Sequence, residues 1–234
     1  VTIHYHGTPI TSPGVLDSLA GKFFCVSFAY PEQVKRVHEI GQGVMLDNGA
    51  FTTYKQGKAF DINEFWAWAS PWLDCPTTWA VLPDSIEGDY KETMRLIDRT
   101  PLLFKINPHK VAPVWHLHDP LERLMAMADM WPRICFGSSA EYAEVGTPQW
   151  HKRISDAFEH LYKKDHKHTQ IHMLRGMKCS KMPYPFYSVD STDVARNHHA
   201  AKNGKHFAKL MADNWDHHQC PIRFEAQPQH EEIF

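Results

Sequence analysis

Gly43-Val44-Met45-Leu46-Asp47-Asn48-Gly49-Ala50 is the stretch that decides the fold. A short apolar run is closed by a carboxylate and then by Asn-Gly, two residues that tolerate left-handed backbone. The stretch therefore reads as a buried strand that delivers Asp47 to its C-terminal end, with a turn at residues 48–50. Working upstream, Phe23-Phe24-Cys25-Val26-Ser27-Phe28 is a second such run, followed by helical spacing over residues 31–40. Downstream, Asp61 is placed to N-cap a helix through Asn63-Glu64-Phe65-Trp66-Ala67-Trp68, because its carboxylate can accept from the free amides of the first turn. Thr78-Trp79-Ala80-Val81-Leu82 is the next strand, ending at Pro83-Asp84.

The alternation continues along the chain. A helix over residues 90–98 precedes Leu102-Leu103-Phe104, which reads as a strand or as a helix-to-loop transition. Ala112-Pro113-Val114-Trp115-His116 and Arg133-Ile134-Cys135-Phe136-Gly137 bracket a helix at 121–130. After a helix at 150–162 come Gln170-Ile171-His172-Met173-Leu174 and Phe186-Tyr187-Ser188-Val189-Asp190. Buried strands alternating with amphipathic helices predict an α/β protein on a parallel sheet, and their number predicts a compact TIM-type (β/α)8 barrel in a single domain. The barrel is expected over residues 1–220, with 221–234 as a surface tail rich in Gln, Pro and Glu.

Composition sets outer bounds. The 234 residues are 43% hydrophobic and 22% charged, which supports a core, and no long uncharged apolar run offers a membrane span. A net charge of -2 argues against a histone-like binder without excluding a nucleic-acid substrate. The run His160-Leu161-Tyr162-Lys163-Lys164-Asp165-His166-Lys167-His168 reads as a solvated helix end and loop or as a local basic surface. Five scattered cysteines (Cys25, Cys75, Cys135, Cys179, Cys220) contain no CxxC pair, so reduced thiols are expected. Val1-Thr2-Ile3-His4-Tyr5-His6 lacks the character of a secretion signal, and a cytoplasmic location is the expectation.

In a parallel barrel, residues just beyond the strand C-termini converge on one face. Here those positions hold Asp47, Asp84, His116, Gly137-Ser138-Ser139, Arg175-Gly176 and Asp190. One such Asp alone is better read as a turn-former or N-cap, whereas three in one barrel point to a site. Displacement at an anomeric carbon uses carboxylates in this way, one to attack and hold the sugar and another to move protons.

Asp47-Asn48-Gly49-Ala50-Phe51 resembles the Asp-Ser-Gly-Gly-Phe motif at a strand end of the tRNA-guanine transglycosylases. Val189-Asp190-Ser191-Thr192-Asp193-Val194-Ala195-Arg196-Asn197 is similar to that family's Phe-Asp-Cys-Val segment running on to Ala-Arg-Asn, with a shorter spacing. Val81-Leu82-Pro83-Asp84 falls where the family has an Asp that reads the deazaguanine edge, and Phe136-Gly137-Ser138-Ser139 at its glycine-rich base-binding strand end. Four motifs in the family's order carry more than any one of them. With the His-Met-Leu-Arg-Gly segment at 172–176, the chain looks most like the phage and bacterial deazapurine DNA-modification protein A branch, which exchanges guanine in DNA for a 7-deazaguanine such as preQ0.

The resemblance implies a covalent base exchange on flipped or single-stranded DNA, with no cofactor needed for the chemistry and, for a phage-encoded member, a host-cytoplasmic location. Asp190 would be the nucleophile and Asp47 the general acid/base. Asp193 is a rival nucleophile because of the shortened spacing. Asp84 would read the base, Phe51 stack on it, and Gly137 and Ser138 approach its carbonyl. His116 would contact base, sugar or phosphate, while Arg175, with Gly176 beside it, and Arg196 would hold phosphate or a carboxylate.

Departures from the pattern keep alternatives open. The tRNA enzymes' CxCxxC zinc motif is missing after Asp190, where Cys220 is the one cysteine. His217-His218-Gln219-Cys220 reads as a polar surface segment or as part of a structural zinc site, and no metal residue is assigned. A tRNA-directed member of the superfamily shares every catalytic residue. A metal-dependent hydrolase on the same barrel would need an HxH on the first strand; His4-Tyr5-His6 is the early match, and Gly7-Thr8-Pro9 beside it suggests a turn instead. A barrel that only binds nucleic acid fits poorly with near-neutral charge and with Asp47 and Asp190 both in place. Membrane association is not expected, and a homodimer, as in the related enzymes, is left open.

Overall fold

Side chains on a strand alternate between its two faces, and here the alternation sorts the apolar residues into two clusters. The computed structural model describes residues 1–86, 90–105, 107–200 and 204–225. Its strands are β1 (Ile3–Gly7), β2 (Phe23–Ser27), β3 (Gly43–Asp47), β4 (Thr78–Val81), β5 (Val111–Ala112), β6 (Val114–His116), β7 (Arg133–Gly137), β8 (Gln170–Met173) and β9 (Ser188–Ser191). Tyr5, Cys25, Met45, Trp79, Val81, Ala112, Val114 and Cys135 form a cluster made of strand residues alone. Phe24, Val26, Val44, Leu46, Trp115, Ile134, Phe136 and Val189 join a larger cluster with helix residues such as Val37, Phe65, Leu124, Ile154 and Ala208. The first cluster fills the inside of a closed sheet and the second lies between sheet and helices.

All pairings are parallel, in the order β5-β4-β3-β2-β1-β9-β8-β7-β6. The two ends of that order, β5 and β6, are separated in the chain by Pro113 alone. Proline has no N–H to give a ladder. The run therefore changes partner at Pro113: Ala112 O accepts from Leu82 N on the β4 side at 2.8 Å, and Pro113 O accepts from Cys135 N of β7 at 2.9 Å. Counted as one bent strand, β5 and β6 close an eight-position barrel, so the chain is a single-domain TIM-type barrel with helices around it.

The helices are α1 (Val34–Ile40), α2 (Ala50–Lys55), α3 (Ile62–Ala69), α4 (Tyr90–Asp98), α5 (Leu102–Lys105), α6 (Leu121–Met130), α7 (Pro148–Lys163), α8 (Asp193–Asn197) and α9 (Gly204–Asp216). Asp61 caps α3 as expected, its Oδ1 accepting from Asn63 N at 2.8 Å and Glu64 N at 3.2 Å. Residues 102–104 are helical. Pro101 starts the turn and its carbonyl accepts from Phe104 N and Lys105 N, so Phe104 is buried while Leu102 and Leu103 stay exposed. The run 160–168 is the end of α7 and the turn after it.

One expectation is corrected. His4-Tyr5-His6 lies on β1, at the centre of the strand order, rather than in a turn. Both histidines are buried on the outer face, against α9: His6 Nε2 is 3.1 Å from Asp216 Oδ1, and Lys22 Nζ bridges Asp213 and Asp216 at 2.5 Å each. The HxH thus faces away from the barrel mouth. The expected tail is exposed over 221–225 apart from the half-buried Phe224, which stacks on Phe158 and Tyr184 and whose N–H reaches Tyr162 Oη at 3.0 Å; residues 226–234 lie outside the described residues. Among the described residues no helix is long and apolar enough to cross a membrane.

Candidate active site

Because every strand runs the same way, the turns after β3, β4, β6, β7, β8 and β9 open on one end of the barrel. A cavity of about 1130 Å³ lies there, lined by Asp47, Phe51, Asp84, His116, Gly137, Ser138, Arg175, Gly176, Asp190 and Arg196. Every residue that the resemblance gave a part in catalysis or substrate binding is on this one surface, and Asp193 is there too.

Asp190 sits in β9 and is buried. Its Oδ1 accepts from the Arg175 backbone N–H at 2.6 Å and lies 3.2 Å from His172 Nε2. Oδ2 has no protein hydrogen bond among the described residues. Arg175, whose amide reaches Asp190, takes a left-handed conformation (φ 53°) in the turn after β8, a conformation that costs about 1 kcal/mol or more in a non-glycine residue. Gly176 makes that turn possible, since a Cβ there would come within 2.2 Å of Met173 Cγ. Asp193 differs: Oδ1 accepts from Asn197 Nδ2 at 2.8 Å and Oδ2 from Trp215 Nε1 at 2.9 Å, so both oxygens are tied into the α8–α9 packing.

Asp47, at the end of β3, has its carboxyl pKa pushed up to about 6. Burial is the main cause, the neighbouring Asp190 charge the next and Asp84 a smaller one; the Ser27 hydroxyl and the Gly49 N–H, 3.1 Å from Oδ2, pull the other way. A carboxyl raised on folding favours its neutral form, so ionising it costs stability. That cost is absent below the ordinary value near 3.8 and complete above about 6. Asp47→Asn is therefore expected to stabilise the protein at pH 8 and to leave it unchanged at pH 4. The whole shift corresponds to about 3 kcal/mol at most, and about 1–2 kcal/mol once screening by cavity solvent is allowed for. Denaturant unfolding at the two pH values checks this; equal effects at both would contradict it.

Asp84, two residues beyond the Leu82 that follows β4, is held by Asn48. Asn48 Nδ2 donates to Asp84 Oδ1 and to Leu82 O, each at 2.7 Å, while its own Oδ1 accepts from Ala50 N at 2.8 Å at the start of α2. Gly49 is required in this turn: φ is +72° and a Cβ would meet Ala29 N at 2.9 Å. Beside it, His116 Nε2 stands 2.9 Å from Asp84 Oδ2 but out of line for a hydrogen bond, and this buried nitrogen has no hydrogen-bond partner among the described residues. Gly137 admits the His116 ring, whose Nδ1 would lie 3.0 Å from an added Cβ. Carboxylate and imidazole together present an acceptor beside a polar ring nitrogen.

Other expected contacts are rearranged. The Arg175 guanidinium lies 3.9 Å over the Phe51 ring and Lys55 Nζ 4.6 Å from its centroid, so Phe51 already carries a cation. The Ser138 hydroxyl takes the Trp150 Nε1–H at 3.0 Å, and the Ser139 hydroxyl lies 2.7 Å from His118 Nδ1. Both hydroxyls serve the scaffold. Arg196, exposed, and Lys178 stand with Arg175 at the mouth. Cys220 Sγ lies 3.7 Å from Cys179 O, its N–H donates to Thr2 Oγ1, and His217 Nδ1 turns back to Asp213 O. Among the described residues no group of three or more His, Cys, Asp or Glu could hold a metal ion.

One residue the sequence analysis gave no role is His172. A search of strand ends passes it by, because it lies inside β8, but its parity with Leu174 and its register against Ser188 of β9 turn it inward. The parity of Asp190 with Ser188 is the signal that would have found it. Burial lowers its pKa while Asp190 works in the opposite direction.

No protein-family model matches the chain, and no curated protein matches it in sequence. Among solved structures, a chain of the tryptophan synthase α2β2 complex from the hyperthermophile Pyrococcus furiosus is similar at a TM-score of 0.42 and 11% identity, over 92% of this chain and 95% of that one.

Proposed function

We propose that this protein is a DNA-guanine transglycosylase that exchanges guanine for a 7-deazaguanine, such as preQ0, through a glycosyl-enzyme intermediate on Asp190. The observation that carries the proposal is one cavity holding a carboxylate with one oxygen tied and one free, Asp190, near a second carboxyl with a pKa of about 6, Asp47. Asp190 Oδ2 attacks C1′, the C1′–N9 bond breaks, and the electron pair leaves with guanine, which takes the Asp47 proton. In the return step N9 of the deazaguanine attacks C1′, the C1′–Oδ2 bond breaks, and the N9 proton passes to Asp47.

The electrostatics favour this sequence. Esterifying Asp190 removes a charge that raises the Asp47 pKa, so Asp47 becomes more acidic as it must release its proton, and then stands ready as a base. Asp84, fixed by Asn48, accepts from the N1–H and exocyclic amine of the base, and His116 Nε2 faces its polar edge. The cavity is far larger than one base, which suits a flipped nucleotide with its neighbours, and Lys55, Arg175, Lys178 and Arg196 line it with positive charge for phosphates. The preference for DNA over tRNA rests on the resemblance to the DNA-modification branch.

The test is guanine release from double-stranded DNA, single-stranded DNA and tRNA, each carrying labelled guanine, with and without preQ0. Release from DNA with retention of preQ0 after nuclease digestion is expected. Release from tRNA alone keeps the chemistry and changes the polymer; no release from any of the three removes the proposal.

A further inference from the structure

We infer that His172 is a positioning residue that sets the Asp190 carboxylate for the second half of the exchange, with Ser188 fixing its tautomer; the inference rests on the function proposed above. His172 is fully buried inside the barrel, with its ring edge-on to both Tyr5 and Trp79. Nδ1 lies 2.8 Å from Ser188 Oγ and Nε2 3.2 Å from Asp190 Oδ1. A carboxylate cannot face the lone pair of a neutral imidazole without repulsion, so the proton belongs on Nε2, and the Ser188 hydroxyl donates to Nδ1. Burial keeps this ring neutral.

Two N–H donors then converge on Asp190 Oδ1, from the Arg175 backbone and from His172. They bind the ionised carboxylate more strongly than its ester. While the glycosyl bond forms, Asp190 loses charge and these donors give nothing to the attack. While that bond breaks, the electron pair returns to the carboxylate and both donors stabilise the developing charge. His172 therefore hastens release of the nucleotide to the incoming base, and it also steers attack to Oδ2 by tying Oδ1.

Side-chain length provides the test. The amide nitrogen of Gln reaches the position of His Nε2, whereas that of Asn reaches only the position of Nδ1. The SDS-stable adduct between protein and a labelled DNA oligonucleotide is formed without deazaguanine and then chased with preQ0. His172→Asn is expected to slow decay of the adduct by about 10- to 100-fold, with formation changed less than about 3-fold, so that the adduct accumulates at steady state. His172→Gln is expected within about 3-fold of the wild type in both steps. In single-turnover decay the dissociation constant for preQ0 should stay constant in both variants while the maximal decay rate falls in the Asn variant alone. Ser188→Ala, which disturbs the tautomer without touching the ring, should give the same split more weakly, and it stands in should His172→Asn fail to fold. Equal slowing by Asn and Gln, or equal slowing of formation and decay, would overturn the role of His172. A wild-type chain that forms no adduct with DNA or tRNA overturns the proposed function and this assignment with it.

Discussion

Asp190→Asn is expected to lower guanine release by about four orders of magnitude or more and to abolish the covalent adduct. An amide oxygen is too poor a nucleophile to displace a base, while the substituted side chain can still accept the Arg175 N–H that Asp190 accepts at 2.6 Å. The fold should survive, so DNA binding is retained and the loss falls on kcat. Asp193→Asn is the matched control. Its two oxygens are engaged by Asn197 and Trp215, and it should leave release within about 10-fold of the wild type, since Asn keeps one acceptor. Base release by the two variants, measured beside each other, decides between them; loss confined to Asp193→Asn would move the nucleophile to α8.

Asp47→Asn carries the second large effect, a fall in exchange of about 10²- to 10⁴-fold. The pH dependence of the wild type gives the sign. Departure of guanine needs the protonated carboxyl, so adduct formation should slow as pH rises through about 6, the value of the free protein. Return of the deazaguanine needs the carboxylate, so adduct decay should slow as pH falls through a somewhat lower value, because the Asp190 charge is then masked. In Asp47→Asn both slopes should vanish. Single-turnover formation and decay rates between pH 5 and pH 8, a range chosen to bracket that value, measure this directly, and unchanged slopes would assign the proton to another group.

Much of the barrel could be read from the sequence because it is written in local terms. Gly43–Asp47, Leu121–Met130 and Arg133–Gly137 have the expected bounds, being apolar runs or amphipathic spacings closed by turn chemistry. The strand that escaped notice, β1, depends on a distant partner. β1 is disguised by His4 and His6, which face α9 and meet Asp216 some 210 residues away, so their polarity argues for a loop until the helix is in place. The break at Pro113 turned one strand position into two, because the partner changes where no N–H is available. The candidate site was legible through position: a residue just past an apolar run must face the mouth of a parallel barrel, and Asp47, Asp84, His116, Gly137, Arg175 and Asp190 do. What position could not give was the division of labour among polar atoms. Asn48 on Asp84, Trp150 on Ser138, Arg175 on Phe51 and His172 on Asp190 are contacts between elements, and they decide which groups are free for a substrate.

The proposed exchange turns on a covalent bond between Asp190 and C1′ of a nucleotide. Peptide mapping by mass spectrometry, on protein quenched in acid after incubation with a guanine-containing oligonucleotide and no deazaguanine, tests it most directly. A mass increase equal to the oligonucleotide less one guanine is expected on the peptide containing Asp190, absent in Asp190→Asn and discharged by preQ0. An adduct on a peptide carrying Asp47 and lacking Asp190, or guanine released from DNA with no protein adduct under any quench, would contradict it.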